Sequence, residues 1–347
     1  MATITQIARQ LKVSISTVSA VINKREYVSA SMRARIEKAL READYHPDHV
    51  ARSLRRRETR TIGMIVPDLG NIFYSILMRG AEDYLSSAGY RLIVADSREH
   101  WERQNEYLGL FSSKTTDGVI LVPSFATDEQ IASIPSLMRG TPLVYVDRSP
   151  LKVQLDSVLV DNAGAALDAT KHLLRLGHRR IAIITEPLNL LNAVDRLRGY
   201  KRALRAHRVP ADPELIRPGD NKEDSGYWGA LELFKLIPRP TALLVCNNRM
   251  TLGALMALRD LHLACPQEVS LIGFDDFDSA ALVEPPLTMV RQPAADLGAA
   301  AAKVLLKRIR DPNLGRNEHA LLPTQLVVRR STAAPGDARR DPKSQAS

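Results

Sequence analysis

Cysteine is scarce in this chain. Among 347 residues there are two, Cys246 and Cys265, both flanked by apolar sequence. That rules out a disulfide scaffold, and the pair reads as reduced core residues of a cytosolic protein. A phosphate-cradling glycine loop and a Walker-type Lys-Ser/Thr motif are both missing, so the common marks of a nucleotide-using enzyme are absent. The eight histidines do not pair with the cysteines at metal-ligand spacing. No metal and no cofactor is expected. No signal peptide is recognised and no apolar run is long enough to span a bilayer, so no membrane partner is expected. Residues 332–347, rich in Ala, Pro, Asp and Arg, read as a disordered tail. The tail lacks leucine heptads, so nothing there supports a tetramer-forming coiled coil.

What the chain has is concentrated at its start. Thr3 can cap a first helix, on which Ile4, Ile7, Ala8 and Leu11 fall at i, i+3, i+4 and i+7, one apolar stripe. After a short break Ser14 can cap a second helix. Val18, Val21 and Ile22 form its buried side, and Ile15, Ser16, Ser19 and Ala20 are left facing outward. A third helix follows Ser29 or Ser31, with Met32, Ile36, Ala39 and Leu40 inward. Two short helices joined tightly, the second with a small polar outer face, read as a helix-turn-helix shaped for a DNA major groove. A generic three-helix packing unit is the plainer alternative. Charge argues against it: residues 1–60 hold thirteen Lys and Arg against six Asp and Glu, seven of the chain's nine excess positive charges. A phosphate-binding footprint should sit there.

Tyr45-His46-Pro47-Asp48 then breaks the third helix and offers a new cap, followed by His49-Val50-Ala51-Arg52-Ser53-Leu54 and three arginines. A helix of about two turns is too short to stand alone, so it should form only when docked. Leu54 beside arginines suits a wedge pushed into a minor groove. The competing reading is a basic linker with Leu54 tucked onto the next domain.

From residue 61 β-rich apolar runs alternate with helical stretches. The runs are 61–67, 90–96, 117–123, 142–147, 157–161, 180–185, 241–247 and 269–275, with helices such as 75–88 and 163–176 between them. This alternation predicts parallel sheets with helices on both faces, in about two sets and hence two similar lobes. Ligands bind such sheets beyond the carboxyl ends of the strands.

The run from Thr3 to Leu54 resembles the DNA-binding head of the LacI/GalR family of bacterial transcriptional regulators. The matching pieces are Val13-Ser14, Thr17-Val18-Ser19, Val21-Ile22-Asn23, Val28-Ser29, Tyr45-x-Pro47 and Ala51-Arg52-x-Leu54. The resemblance continues to about Arg330. It implies an α/β core of two similar, periplasmic-binding-protein-like lobes behind an N-terminal all-α helix-turn-helix domain. The expected limits are 1–46 for the head, 47–60 for the hinge helix and linker, and 61–331 for the core. Lobe 1 would take about 61–161 with 293–321, and lobe 2 about 162–292 with 322–331. Crossovers between lobes are implied near Asp161–Asn162, Arg291–Pro293 and Leu322.

The resemblance also assigns roles. The DNA-binding set is Thr3, Ser14, Ile15, Ser16, Thr17, Ser19, Ala20, Asn23, Ser29, His49, Ala51, Arg52 and Leu54, with Leu54 as the wedge. Ala20 stands where the family often has an arginine that reads guanine; alanine can only touch a thymine methyl. Asp48 replaces the usual asparagine after the hinge proline. The effector-binding set is Phe73, Tyr74, Asp147, Arg196, Asn221, Asn247, Asp275 and Gln292. Ile72 replaces a proline ahead of Phe73, Asn248 a frequent aspartate, and Asn221 an aromatic. Arg148 reads as structural and Ser225-Gly226-Tyr227 as a packing motif.

Carboxylates with amides and an arginine suit hydroxyl-rich ligands, so a sugar or sugar derivative is favoured. The function implied is a homodimeric, DNA-binding repressor, cytoplasmic and nucleoid-associated, whose affinity for a pseudo-palindromic operator on double-stranded DNA is set by a small-molecule effector. It is not expected to be an enzyme. The alternative is a cytosolic sugar-acting enzyme carrying a DNA-binding head. Asp275 and Asp276, adjacent on a strand, face opposite ways and make a poor catalytic pair. A transport binding protein shares the core fold but not the head.

Overall fold

The computed structural model describes residues 3–22, 25, 27–43, 58–149 and 155–336. The chain divides into two compact units, residues 1–59 and 60–347.

In the first unit α1 (Ile4–Leu11), α2 (Ile15–Ile22) and α3 (Ala30–Glu42) form a small helical head. α1 opens with a reciprocal cap: the Gln6 N–H donates to Thr3 Oγ1 at 3.3 Å and the Thr3 N–H to Gln6 Oε1 at 2.8 Å. It ends on Lys12 in a left-handed conformation. Ser14 Oγ accepts from the Thr17 N–H at 3.0 Å, and Ser29 Oγ from the Met32 N–H at 3.4 Å, so both serines act as the caps their positions suggest. Ile7, Ala8, Val18, Val21, Ile36 and Ala39 close the core, with Ile4, Leu11, Met32 and Leu40 packed at its edge.

In the second unit the chain runs β1 (Thr61–Val66), α4 (Ile72–Ser87), β2 (Arg91–Asp96), α5 (Trp101–Leu110), β3 (Gly118–Leu121), α6 (Asp128–Met138), β4 (Leu143–Val146) and β5 (Ser157–Val160). It continues through α7 (Asn162–Arg175), β6 (Ile181–Thr185), α8 (Leu191–Ala206), β7 (Ile216–Pro218), α9 (Glu223–Phe234), β8 (Ala242–Val245), α10 (Asn248–Asp260), β9 (Ser270–Phe274) and β10 (Thr288–Arg291). It closes with α11 (Ala294–Arg310), β11 (His319–Leu322) and β12 (Gln325–Val327). Among the described residues these strands make two six-stranded sheets, β11-β5-β4-β3-β1-β2 and β12-β10-β9-β8-β6-β7. The first is parallel throughout, with pairs such as Ile65 beside Leu121. In the second, β12 runs antiparallel to β10.

The strands carry unbroken Val, Ile and Leu runs because helices cover both faces. α4 and α11 pack on one face of the first sheet, around Leu77, Ala81, Leu297 and Leu305. α7 and α8 cover one face of the second and α9 and α10 the other. α9 and α10 touch through their backbones: a methyl group on Gly226 would collide with the Met250 carbonyl, which explains the Ser225-Gly226-Tyr227 motif as packing.

Among the described residues the chain passes between the sheets three times: at Asp161 after β5, at Gln292–Pro293 after β10, and at Pro323–Thr324 after β11. Each lobe is therefore built from separated stretches of chain, and the carboxyl ends of the strands carry the residues of the cleft.

β7, β10, β11 and β12 were not among the expected strands. They are three or four residues long, and Arg217 and Pro218, Arg291, His319 or Gln325 interrupt or bound the apolar run that marks β3, β4 and β8 at the same length. The expected tail also needs correcting at its start. Residues 332–336 are held against the second lobe: the Ala333 N–H donates to Ser270 Oγ at 3.0 Å, and the Ala333 carbonyl accepts from the same hydroxyl at 3.0 Å and from His178 Nε2 at 2.9 Å. It is the backbone of Ala333 that pairs with buried His178 and Ser270, which the composition of the segment does not show. Among the described residues no helix is long and apolar enough to cross a membrane.

Candidate functional site

The head presents one of the two candidate surfaces. Ser14, Ile15 and Ser16 are exposed at the start of α2, Thr17 and Ser19 are half-buried, and Ile15, at 43% exposure, is an apolar side chain with no place in the core. Thr3 and Ser29 are exposed caps of α1 and α3. Ala20 corrects the sequence reading: it is 3% exposed and belongs to the core of the head. The Arg25 N–H donates to the Ala20 carbonyl at 2.8 Å. A single methyl at that position is enclosed and cannot reach a base. Tyr27, not singled out in the sequence, is 76% exposed just ahead of α3. Asn23, His49, Ala51, Arg52 and Leu54 lie outside the described residues, as does the Asp48 cap.

The second surface is the cleft between the lobes of the core. Asp147 follows β4 of the first lobe and Asp275 follows β9 of the second; both are in the left-handed region, at φ 65° and 66°. Asn221 shares it at φ 68°. Such backbone costs energy outside glycine, though Asp and Asn tolerate it best, and it turns each side chain out of the strand-end direction.

Two guanidiniums organise the interior. Arg196 on α8 is 2% exposed; Nε donates to Asn162 Oδ1 at 2.7 Å, Nη1 to Glu186 Oε2 at 2.8 Å and to the Cys246 carbonyl at 2.5 Å, and the group lies 4.4 Å over the Phe274 ring. Arg148 in the first lobe donates through Nη1 to both oxygens of Glu99, at 2.9 and 3.1 Å, and stacks over Phe125 and Tyr74. With the Asn221 amide turned so that its oxygen faces Arg148, the orientation that satisfies both of its ends, Arg148 Nη2 donates to that oxygen at 2.9 Å and the amide nitrogen donates on to Glu186 Oε1 at 3.2 Å. One chain of charge-assisted bonds thus runs Glu99, Arg148, Asn221, Glu186, Arg196 and Asn162, from lobe to lobe. Arg148, expected to be structural only, is a bridge across the cleft.

Burial dominates the electrostatics. It raises the carboxyl of Asp147 to about 7, against the opposing pull of Arg148 and with Asp275 adding to the rise. Asp275, Glu186 and Glu99 are raised by burial too, each opposed by its arginine neighbour.

A pocket of about 420 Å³ opens between the lobes. Pro67, Asp68, Asn71, Tyr74, Arg98, Glu99, His100 and Arg148 line it from the first lobe, and Asp220, Asn221, Lys222, Glu223, Asp224 and Arg249 from the second. Of the expected effector residues, Tyr74 and Asn221 face this pocket. Asp147, Arg196, Asp275 and Gln292 are buried and share one electrostatic cluster, with Gln292 Nε2 donating to Asp275 Oδ1 at 2.5 Å. Two are engaged elsewhere. Phe73 lies in the apolar core of the first lobe, edge-on to Tyr74, and Asn247 Oδ1 caps α10 by accepting from the N–H groups of Arg249 and Met250. Glu186 and Glu99 were missed, although Glu186 directly follows a strand.

Comparison with known proteins agrees with this arrangement. A family model described as bacterial regulatory proteins, lacI family, matches residues 3–48, and one described as a periplasmic binding protein-like domain matches residues 170–332. The chain is 35% identical over 332 residues to the HTH-type transcriptional repressor PurR of Vibrio atlanticus, covering 96% of this chain and 98% of the relative. It is 36% identical over 331 residues to the ribose operon repressor of Haemophilus influenzae, covering 95% and 98%. Among solved structures, a lac repressor dimer bound to operator and the anti-inducer ONPF superposes with a TM-score of 0.85 at 26% identity, covering 96% of this chain and 99% of that one. A transcriptional regulator CelR–cellobiose complex gives 0.71 at 33% identity, covering 95% and 100%. The chain belongs to the lacI family of bacterial regulatory proteins.

Proposed function

We propose that this DNA-binding transcriptional regulator is a homodimeric repressor, cytoplasmic and nucleoid-associated, that takes a sugar or sugar derivative between the lobes of its core. The observation that carries the reading is the bonded chain from Glu99 to Asn162, which couples a buried polar cleft to both lobes at once. A ligand placed there changes how the lobes meet, and only a ligand with unequal affinity for the two lobe arrangements can shift operator binding. Relatives named for ribose and solved with cellobiose support the ligand class. Ser14, Ile15, Ser16, Thr17 and Ser19, with Thr3 and Ser29 at helix starts, would meet DNA. Asn23 and the segment containing His49, Ala51, Arg52 and Leu54 would complete the contact, and Tyr74, Asp147, Arg196, Asn221, Asp275 and Gln292 would meet the effector.

The test is capture of genomic fragments by the purified protein at near-physiological salt, followed by anisotropy titration of the recovered sequence with and without candidate sugars. A shared palindrome whose affinity changes with one sugar is the expected outcome. Uniform recovery that vanishes as salt rises would mean phosphate contact alone and would overturn the reading.

A further inference from the structure

The interior of the cleft holds more carboxyl groups than guanidiniums. Four carboxylates meet there, Glu99, Asp147, Glu186 and Asp275, all buried or nearly so, against two guanidiniums. Each guanidinium already has a carboxylate partner at hydrogen-bond distance: Arg148 with Glu99 and Arg196 with Glu186. Glu186 therefore sits where an anionic ligand would need Arg196. What is left over is Asp147 from one lobe and Asp275 from the other, with Arg148 Nε standing off Asp147 at 4.0 Å. At the rim, Arg98, Lys222 and Arg249 are outnumbered by Asp68, Asp220, Glu223 and Asp224, and Arg249 is held between Asp68 at 2.6 Å and Glu223 at 3.4 Å.

Of the unpartnered polar atoms in the cleft, Arg148 Nε is a donor and two others are acceptors. Gln292 Oε1 and Asn192 Oδ1 are acceptors with no hydrogen-bond partner, on residues 7% and 3% exposed. The other ends of these amides are fixed in the cluster, Gln292 Nε2 on Asp275 and Asn192 Nδ2 on Glu186 at 2.9 Å. Buried acceptors without donors are costly, and two of them beside an excess of carboxylate call for a group rich in N–H and positive charge.

We infer that the effector carries a basic nitrogen, held as a cation between Asp147 and Asp275 with Gln292 and Asn192 as further acceptors, and that Glu186 is a specificity residue that excludes anionic ligands. This rests on the cleft being the effector site. It narrows the ligand from sugars in general to amine-bearing small molecules such as amino sugars. A cation bridging one aspartate from each lobe also favours the closed arrangement.

The test uses the full-length protein, thermal-shift and calorimetric binding, and matched probes: neutral sugars, amino sugars, short polyamines, sugar phosphates and sugar acids. Amine-bearing probes should bind, and N-acetylation of the tightest one should weaken it by about 10-fold or more. Glu186→Gln should weaken that probe and admit a sugar phosphate, because Arg196 is released. Asp275→Asn, in the second lobe's strand end, should weaken the amine without admitting the phosphate, which guards against a Glu186 variant that folds poorly. Neutral or anionic probes binding as tightly as amines, or no amine binding, would overturn the inference. Operator anisotropy on the same samples separates the two readings. A neutral sugar that changes operator affinity would leave the regulator standing and remove the charge argument.

Discussion

Asn71 and Asn248 exchange two hydrogen bonds across the cleft, Asn71 Nδ2 donating to Asn248 Oδ1 at 3.1 Å and Asn248 Nδ2 to Asn71 Oδ1 at 2.8 Å. Asn71 caps α4 of the first lobe and Asn248 begins α10 of the second, so the pair is a latch that exists only while the lobes are closed. An aspartate at 248 could accept from Asn71 but not donate to it. Asn248→Asp should therefore cost about 0.5–1.5 kcal/mol of closure, the net worth of one hydrogen bond, since Asn71 Oδ1 keeps the Phe73 N–H at 3.0 Å. Calorimetry should show a weaker effector, and small-angle scattering a more open core. Asn71→Ala combined with Asn248→Ala should cost little more than either alone, since both remove the same contact.

The buried pair Glu186–Arg196 predicts a second asymmetry. Arg196→Leu strands Glu186 at 3% exposure and should cost about 3–5 kcal/mol, read as a fall in the urea midpoint. Adding Glu186→Gln should return most of the loss, because the double variant buries no unpaired charge. Equal losses in single and double variants would mean the arginine acts through packing on Phe274 and not through its charge.

How far the sequence discloses this cleft depends on where each residue sits. Asp147, Asp275 and Gln292 follow apolar strands or sit at a crossover, so a strand-end rule finds them. Glu186 obeys the same rule but is hidden because its strand already ends in polar Thr185. Glu99 lies in a loop beyond β2 and lines the pocket beside Arg148, a partner 49 positions away. Asn247 looks identical to a ligand residue in sequence, and only the N–H groups of α10 that it caps reveal its other use. The fold was legible wherever a strand is an unbroken buried apolar run, as in the four-residue β3, β4 and β8; β7, β11 and β12 are at sheet edges and only partly buried, so pairing and not pattern makes the strand.

Burial sets the pH response of the core. Asp147 titrates at about 7 in the folded chain and near the ordinary carboxylate value of about 4 when unfolded. The folded state thus holds the extra proton between those values, and the associated stability is full below the unfolded value and lost as pH rises through about 7. The ligand-free core should melt higher at about pH 6 than at about pH 8, by up to about 1.4 kcal/mol per pH unit for each proton involved. Groups facing Asp147 from its surroundings are Arg148, Arg196, Glu186 and Asp275, and the last two add to the trend in the same direction. Asp147→Asn should flatten the slope in a melting series run across that range.

In the head, the buried Ala20 separates stability from recognition. The family's arginine at this position would read a guanine, so Ala20→Arg looks like a simple route to a changed operator. The enclosed methyl predicts otherwise: a larger side chain must displace the core around Val18 and Val21, at about 1–3 kcal/mol. Ser16→Ala and Ile15→Ala, on the exposed start of α2, should leave the melting of the head unchanged and alter operator affinity by about 1–3 kcal/mol at the base pairs they touch. Hydrogen exchange of α1 to α3, set beside anisotropy on the captured operator, distinguishes the two classes. If Ala20→Arg kept full protection and gained affinity for a guanine-bearing site, α2 would have to turn its Ala20 face toward the groove, and the core contact that buries the methyl here would be the one that yields.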